Sequence, residues 1–291
     1  MLKVTIASGK GGTGKTTVST NLASWISKNI EHQEVLLCDL DVEEPNSGLF
    51  LDFSDPDKTI VYKKIPEWNE AACTFCGKCH EVCKFNAITM LPKQVLVFEE
   101  LCHSCYACSD LCPENALPMK DRETGVISDA QTALFRFVEG QLNIGEQQAV
   151  PMIKETMEYC FEKAKSEEAI ILQDAPPGTS CPMIEAVKDC DLVILVAEPT
   201  RFGIHDLSLS VETMKHLKKE YIIVVNKDNP GNNEIEKFCE DTGSQIIAQI
   251  PEKREIAEIY SRGELLIDHV PEVNEAMKNV YDFLKTQHNN G

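Results

Sequence analysis

Eight of the thirteen cysteines in this 291-residue chain fall into two copies of one pattern. Cys73, Cys76, Cys79 and Cys83 are spaced C-x2-C-x2-C-x3-C, and Cys102, Cys105, Cys108 and Cys112 repeat that spacing, with Pro113 after the second run. The repeat is 29 residues long, from Cys73 to Cys102, and it extends past the cysteines: Asn86-Ala87-Ile88 matches Asn115-Ala116-Leu117. Four thiolates so close together cannot easily serve separate zinc sites, which use well-separated pairs. The spacing instead wraps the backbone around one face of a cubane cluster. Thirteen cysteines in a chain with a cytosolic look point to metal or redox work rather than to disulfides.

Outside this region, strand and helix patterns alternate. Val4 to Ser8, Val35 to Asp39, Ala169 to Asp174, Leu192 to Glu198, Tyr221 to Asn226 and Gln245 to Ile250 read as short buried strands. Thr16 to Asn29 has helical spacing, with Val18, Leu22, Trp25 and Ile26 on one face, and Ile204 to Lys219 and Asn233 to Asp241 are further helices. Such alternation predicts a parallel sheet covered on both faces. It stops from Thr59 to Pro118. That segment, 59–118, is read as an insertion dividing an α/β domain into 1–58 and 119–291. Strand-like pieces occur between Thr124 and Glu146, with Gly140 and Gly145 expected at turns. The tail His288-Asn289-Asn290-Gly291 is expected to fray.

The longest apolar runs, such as Leu192 to Ala197, are strand-sized, well short of the ~18 residues of a membrane span. The chain enters its first strand at Lys3 without a signal-peptide pattern, so a cytoplasmic location is expected. A formal charge of -19 argues against nucleic-acid binding, which depends on Lys and Arg neutralising phosphates, and against a basic membrane anchor.

Gly9-Lys10-Gly11-Gly12-Thr13-Gly14-Lys15-Thr16 fits G-x4-G-K-[ST] between a strand and a helix, the context this phosphate-binding motif needs. Gly11, Gly12 and Gly14 let backbone N–H groups close on phosphate oxygens. Lys15 supplies charge to the outer phosphates and Thr16 a hydroxyl to Mg2+, with Thr13 and Thr17 completing the nucleotide-binding stretch. Ile170-Ile171-Leu172-Gln173-Asp174 is a buried strand ending in an acid, so Asp174 is the candidate for a Mg2+-bound water. Asn226-Lys227-Asp228-Asn229 lacks the aspartate that a guanine-reading N-K-x-D requires, which favours ATP over GTP.

Lys10, a second lysine early in the loop, makes the motif resemble the deviant phosphate loop of the MinD/ParA/Mrp group of ATPases. Leu37-Cys38-Asp39-Leu40-Asp41 resembles that group's first switch, Ala175-Pro176-Pro177-Gly178-Thr179 its second, and Glu198 to Asp206 and Phe137-Val138-Glu139-Gly140 are also similar. The resemblance implies a parallel-sheet P-loop NTPase. It further implies that Lys10 reaches across an ATP-dependent dimer to the partner's nucleotide, like an arginine finger, that Asp41 positions the attacking water, and that Asn226 pairs with adenine. The dimer partner is a second copy or a paralogue.

The duplicated cysteine unit resembles a bacterial two-cluster ferredoxin, an α+β domain holding two [4Fe–4S] clusters. In such domains the fourth cysteine of each run crosses over. That implies Cys73, Cys76, Cys79 and Cys112 on one cluster, and Cys102, Cys105, Cys108 and Cys83 on the other. Lys84 stands where proline usually follows the fourth cysteine, and its charge is expected to raise the potential of the cluster that Cys83 ligates. Of the remaining cysteines, Cys38, Cys160, Cys190 and Cys239 read as packed thiols. Cys181 stands where the nitrogenase iron protein has a cluster-ligating cysteine; it too reads first as a packed thiol, with a ligand role as the alternative. Met183, Met214 and Met277 read as core, and Val273 to Thr286 as a helix packed on the sheet.

Together these features predict an ATP-hydrolysing iron–sulfur protein in which a nucleotide-driven dimer gates electron transfer to a redox partner. The alternatives are an ATPase that carries or assembles iron–sulfur or other metal clusters and, less favoured by the acidic charge, a spatial positioning ATPase.

Overall fold

The computed structural model describes residues 1–229, 231 and 233–288. The expected fraying of the tail falls largely on residues outside these. The strands are β1 (Leu2–Ala7), β2 (Val35–Asp39), β3 (Asp57–Pro66), β4 (Ile88–Leu91), β5 (Gln94–Val97), β6 (Met119–Gln131), β7 (Arg136–Leu142), β8 (Ile170–Asp174), β9 (Leu192–Ala197), β10 (Tyr221–Asp228) and β11 (Ile246–Pro251). The helices are α1 (Lys15–Asn29), α2 (Lys78–Val82), α3 (Ala107–Asp110), α4 (Ala149–Lys163), α5 (Cys181–Lys188), α6 (Arg201–Leu217), α7 (Glu234–Thr242), α8 (Arg254–Ser261) and α9 (Pro271–His288). The chain divides into two compact units: residues 1–58, 127–141 and 149–291 form one, and residues 59–126 and 142–148 the other.

In the first unit the strands lie in the order β11-β10-β9-β1-β8-β2-β7, each neighbouring pair parallel. The local sequences account for this. VLLCD, IILQD and LVILVA are buried at every position, so neither face of these strands can meet water, and helices must cover both sides. On one side Val18, Leu22 and Ile26 of α1 share a core cluster with Val273, Met277 and Val280 of α9. The Trp25 indole donates to Asn274 Oδ1 at 3.1 Å, and its ring centroid lies 5.6 Å from that of Tyr281. Met183, Met214 and Met277 are all buried. Among the described residues no helix is long and apolar enough to cross a membrane.

Two local expectations need correction. Gly140 does not mark a turn; it lies inside β7, where a Cβ would come within 2.2 Å of Thr156 Oγ1 on α4. The glycine is there so that helix and strand can approach, and Gly145 alone turns the chain, at φ 87°. Helix α6 starts at Arg201, three residues before the expected Ile204, because the Thr200 side chain caps it by accepting the Gly203 N–H at 2.9 Å. Gly203 sits in its first turn, where a Cβ would lie 2.2 Å from the Glu198 carbonyl oxygen.

One buried ion pair in this unit has a measurable pH signature. Asp129 is 5% exposed and accepts from Arg136 Nε and Nη2 at 2.7 and 2.9 Å and from the Tyr159 hydroxyl at 3.1 Å. Burial pushes the carboxyl up, but the Arg136 and Tyr159 hydrogen bonds and the Lys163 charge outweigh it and hold it below its ordinary value. A carboxylate lowered in this way contributes stability above its unfolded-state value, about pH 4, and loses it as pH falls through the folded value. Asp129→Asn is expected to cost about 3 kcal/mol at pH 7, the cost of leaving Arg136 without its partner. Below about pH 4 the difference from the parent should shrink. Urea denaturation at pH 7 and pH 3 checks both.

The second unit is built on the 29-residue repeat. The 3-10 turns Glu70–Ala72 and Glu99–Leu101 each deliver the chain to the first cysteine of a run, and α2 and α3 begin at matching positions. Phe75, Gly77 and Asn86 adopt left-handed backbone at φ 55°, 81° and 55°, and their counterparts Ser104, Tyr106 and Asn115 do so at 52°, 62° and 51°. These reversals let a short chain curl its thiols inward. The strand pairing also repeats. β4 runs antiparallel to β5, and Phe98 N–H donates to the Ala87 oxygen at 2.8 Å. In the matching places Asn69 N–H donates to the Ala116 oxygen at 2.9 Å, and Glu67 N–H to the Pro118 oxygen at 2.8 Å. The second ribbon is thus made of both ends of the repeat. Segment 142–148 joins this unit through Glu146, 2% exposed at its side chain, which pairs with Lys63 at 3.0 Å and Arg122 at 3.2 Å.

Candidate functional site

In the first unit the carboxyl ends of the parallel strands converge on the loop between β1 and α1. Gly12 and Gly14 have φ 77° and 97°, a conformation that disfavours any side chain. A Cβ on Gly14 would sit 2.0 Å from Asn226 Nδ2. Gly9 is needed for a different reason, since a Cβ there would meet the Asp206 backbone at 2.3 Å. Asn226 ends up beneath the loop, donating Nδ2 to the Thr13 carbonyl at 2.8 Å. Adjacent Lys227 is left-handed at φ 54° and donates to the Gly12 carbonyl at 2.8 Å. The loop is therefore held open from below by two residues at the end of β10.

A cavity of about 1370 Å3 of atom-free space, part of it open to solvent, lies above this loop. Gly11, Gly12, Gly14, Lys15, Thr16, Thr17, Asp41, Asp174 and Asn226 all line it, whereas Lys10 and Thr13 do not. Pro251, Glu252, Lys253, Ile256, Ala257 and Tyr260 close its far side. Sequence reading passed over these six. The signal was their place just after the last strand, because ligands of open α/β sheets bind beyond the carboxyl ends of strands.

The acids are arranged in layers. Asp39, 1% exposed, accepts the N–H groups of Asp41, Asn46 and Ser47 at 3.0, 3.1 and 2.9 Å, so it fixes the loop that carries Asp41. Ser47 Oγ in turn donates to Asp174 Oδ2 at 3.2 Å. Asp174 Oδ1 is buried with no protein partner, as is Thr13 Oγ1. Burial and the nearby Asp39 charge push Asp174 up to about 7, against Lys15, Thr16 and Ser19 pulling it down. Burial, again with Asp39, pushes Asp41 up to about 6. Two crowded carboxyls beside Lys15, one with an orphaned oxygen, fit a divalent cation whose charge they lack. Thr16 and Asp174 are the residues that would hold Mg2+ there.

Lys10 points elsewhere. Its ammonium pairs with Glu198 Oε1, and the other Glu198 oxygen accepts from Lys227 Nζ at 3.2 Å. Burial would raise the Glu198 carboxyl, but the two lysines win and hold it low.

In the second unit, two cavities of similar size, about 360 and 340 Å3 of atom-free space with part of it open to solvent, are each lined by four cysteines. Cys73, Cys76, Cys79 and Cys112 line one, and Cys83, Cys102, Cys105 and Cys108 the other. Each set takes its last member from the opposite run. Phe75 N–H donates to Cys73 Sγ at 3.4 Å and Ala116 N–H to Cys112 Sγ at 3.2 Å, so two thiols of the first cavity already have amide donors suited to thiolate. Among the described residues no three Cys, His, Asp or Glu side chains converge on a single ion. The two sets of four thiols are the residues that would hold iron–sulfur clusters. Burial pushes the thiols of Cys79 and Cys102 up, and that of Cys108 up to about 11. Thiolate is the ligating form, so loading these cavities with metal must release protons. Cys181, which reads from the sequence as a packed thiol, is instead exposed at the start of α5 in the first unit.

A glycine-rich loop clamped between the first strand and first helix of a parallel sheet, with an acid ending β8, defines a P-loop nucleotide-binding protein. The chain belongs to the CobQ/CobB/MinD/ParA nucleotide binding domain family, which it matches over residues 4–267. It is 36% identical over 286 residues to the uncharacterized protein MJ0578 of Methanocaldococcus jannaschii, covering 98% of this chain and 97% of that protein. Its fold is similar to the cell division ATPase MinD of Pyrococcus furiosus, with a TM-score of 0.60 at 18% identity over 97% of this chain and 99% of MinD. The septum site-determining protein MinD of Pyrococcus horikoshii, in complex with Mg-ADP, gives 0.59 at 18% identity, covering 97% and 95%.

Proposed function

We propose that this protein is an ATP-hydrolysing iron–sulfur protein whose nucleotide state, read out through dimer formation, gates electron transfer through two [4Fe–4S] clusters. The observation that carries the reading is the pair of four-cysteine cavities in a chain that also has a complete phosphate loop. The clusters supply one-electron storage when bound; the chain supplies their ligands and surroundings. In the nucleotide site the loop N–H groups and Lys15 bind phosphate, and Thr16 and Asp174 hold the cation. Asp41, its carboxyl pushed up to about 6 by burial and by the Asp39 charge, orients the attacking water. Asp39 ties the Asp41 loop at three points, and further along the chain β3 begins at Asp57 and carries the chain into the cysteine unit at residue 59. Movement of that loop is the proposed link between nucleotide and clusters.

Lys10 does not line the nucleotide cavity of its own chain, which supports a role toward a second copy or a paralogue. Lys10→Ala is therefore expected to leave the Kd for ATP within about tenfold of the parent while lowering hydrolysis about 10^3-fold, the range for a finger residue supplied in trans. Nucleotide titration beside steady-state phosphate release checks it. A large loss of affinity would instead put Lys10 in its own site.

The gating is tested by following cluster reduction and electron delivery to an acceptor, with and without ATP, in the parent and in Lys10→Ala. Nucleotide should change the rate or the potentials in the parent alone. Identical behaviour with and without ATP overturns gating, and transfer of iron to an apo-acceptor would favour cluster carriage.

A further inference from the structure

The two cysteine cavities are built on one repeat, and the first holds a buried group that the second lacks. Trp68 lines the cavity of Cys73, Cys76, Cys79 and Cys112. Its indole Nε1 is buried and has no hydrogen-bond partner in the protein. An indole N–H is a donor only, and leaving it buried and unpaired costs free energy comparable to a lost hydrogen bond. The ring is not loosely placed. It packs in one cluster with Cys73, Cys79 and Met90 and meets Phe75 edge-on at a centroid distance of 6.2 Å. The short pairing of Glu67 and Asn69 with Pro118 and Ala116 holds its backbone on both sides.

The matching position in the other half, 29 residues on, is Val97. Valine has no donor. Among the described residues, none of the side chains lining the cavity of Cys83, Cys102, Cys105 and Cys108 has a buried polar atom left without a partner. Lys84, the sequence difference expected to separate the two sites, is exposed, so water screens its charge.

We propose that Trp68 donates its indole N–H to a sulfur of the cluster held by Cys73, Cys76, Cys79 and Cys112, and so raises that cluster's reduction potential above its twin's. The inference rests on the cluster reading given above. A cluster held by these cysteines would carry more negative charge on its sulfurs after accepting one electron from an external reductant. A donor aimed at them stabilises the reduced form more than the oxidised one. A hydrogen bond to a charged acceptor is worth about a tenfold change in an equilibrium, or about 59 mV for a one-electron couple. The assignment makes this cluster the resting place of an electron that enters the unit.

The test is a potentiometric titration followed by electron paramagnetic resonance on the anaerobically reconstituted full chain, with iron and sulfide counted. Trp68→Phe, which keeps an aromatic ring, is expected to retain the parent's iron. It should lower by about tenfold the reduction equilibrium of the component that Cys112→Ala removes, leaving the other unmoved. Full iron content with both components unmoved overturns the Trp68 assignment and leaves the cluster reading standing. A parent that takes up no iron overturns both. Should Trp68→Phe lose iron, the parent labelled with 15N-indole tryptophan decides: electron spin-echo modulation from 15N on the reduced cluster upholds the contact, and its absence overturns it. Trp25, the chain's other tryptophan, already donates to Asn274.

Discussion

Lys15→Ala should weaken nucleotide binding and slow turnover more steeply still. Lys15 is 7% exposed at the first position of α1, beside Asp41 and Asp174, whose proton affinities it lowers. Removing it leaves two crowded acids facing a polyanionic phosphate with no nearby compensating charge. A charge-assisted hydrogen bond is worth about 1.5–3 kcal/mol, so affinity for ATP is expected to fall by about ten- to a hundredfold. Hydrolysis is expected to fall by about 10^3-fold, since the lysine also faces the charge that develops on the transferred phosphoryl group. Isothermal titration and phosphate release measure the two. Lys28, at the other end of the same helix and paired with Asp268 on the surface, is the control: its alanine variant should match the parent. The contrast with Lys10→Ala, expected to separate binding from turnover, distinguishes a lysine serving its own site from one serving another.

The second large effect concerns which cysteines share a cavity. Cys112→Ala is expected to remove about half of the iron, and Cys83→Ala the other half, because each completes a different set of four. Double variants make the test sharp. Cys73→Ala with Cys112→Ala strikes one cavity twice and should lose no more iron than either alone. Cys73→Ala with Cys83→Ala lies within one sequence run but strikes both cavities, and should lose nearly all. If each run held its own cluster, the two doubles would exchange results. Iron analysis and the spectrum of the reduced protein read this directly.

Much of the sheet could be read from residues whose surroundings leave no choice. Val35 to Asp39 and Leu192 to Ala197 are uniformly apolar until their ends, and such runs form central parallel strands wherever they are placed. What escaped sequence reading depends on contacts between distant parts. Gly140 has the local look of a turn, and only the arrival of Thr156 on α4 explains it. Asp39 read as a mere neighbour of Asp41, yet it ties the loop, because its partners are backbone groups that carry no sequence signal. Ser47 reaches Asp174, and the residues from the end of β11 onward reach the nucleotide cavity, by chain folding alone. Trp68 shows the same limit: nothing in the sequence marks it, and only its buried nitrogen without a partner draws notice.

Glu198 carries a consequence of its own. It grips Lys10 with one oxygen and Lys227 with the other, and Lys227 grips the floor of the phosphate loop. Any neighbour that borrows Lys10 must first outbid a carboxylate on the same chain, and the carboxylate left behind turns wholly to Lys227. On the function proposed above, a lone chain would keep Lys10 clasped by Glu198 and would turn ATP over slowly until a second copy drew the lysine away.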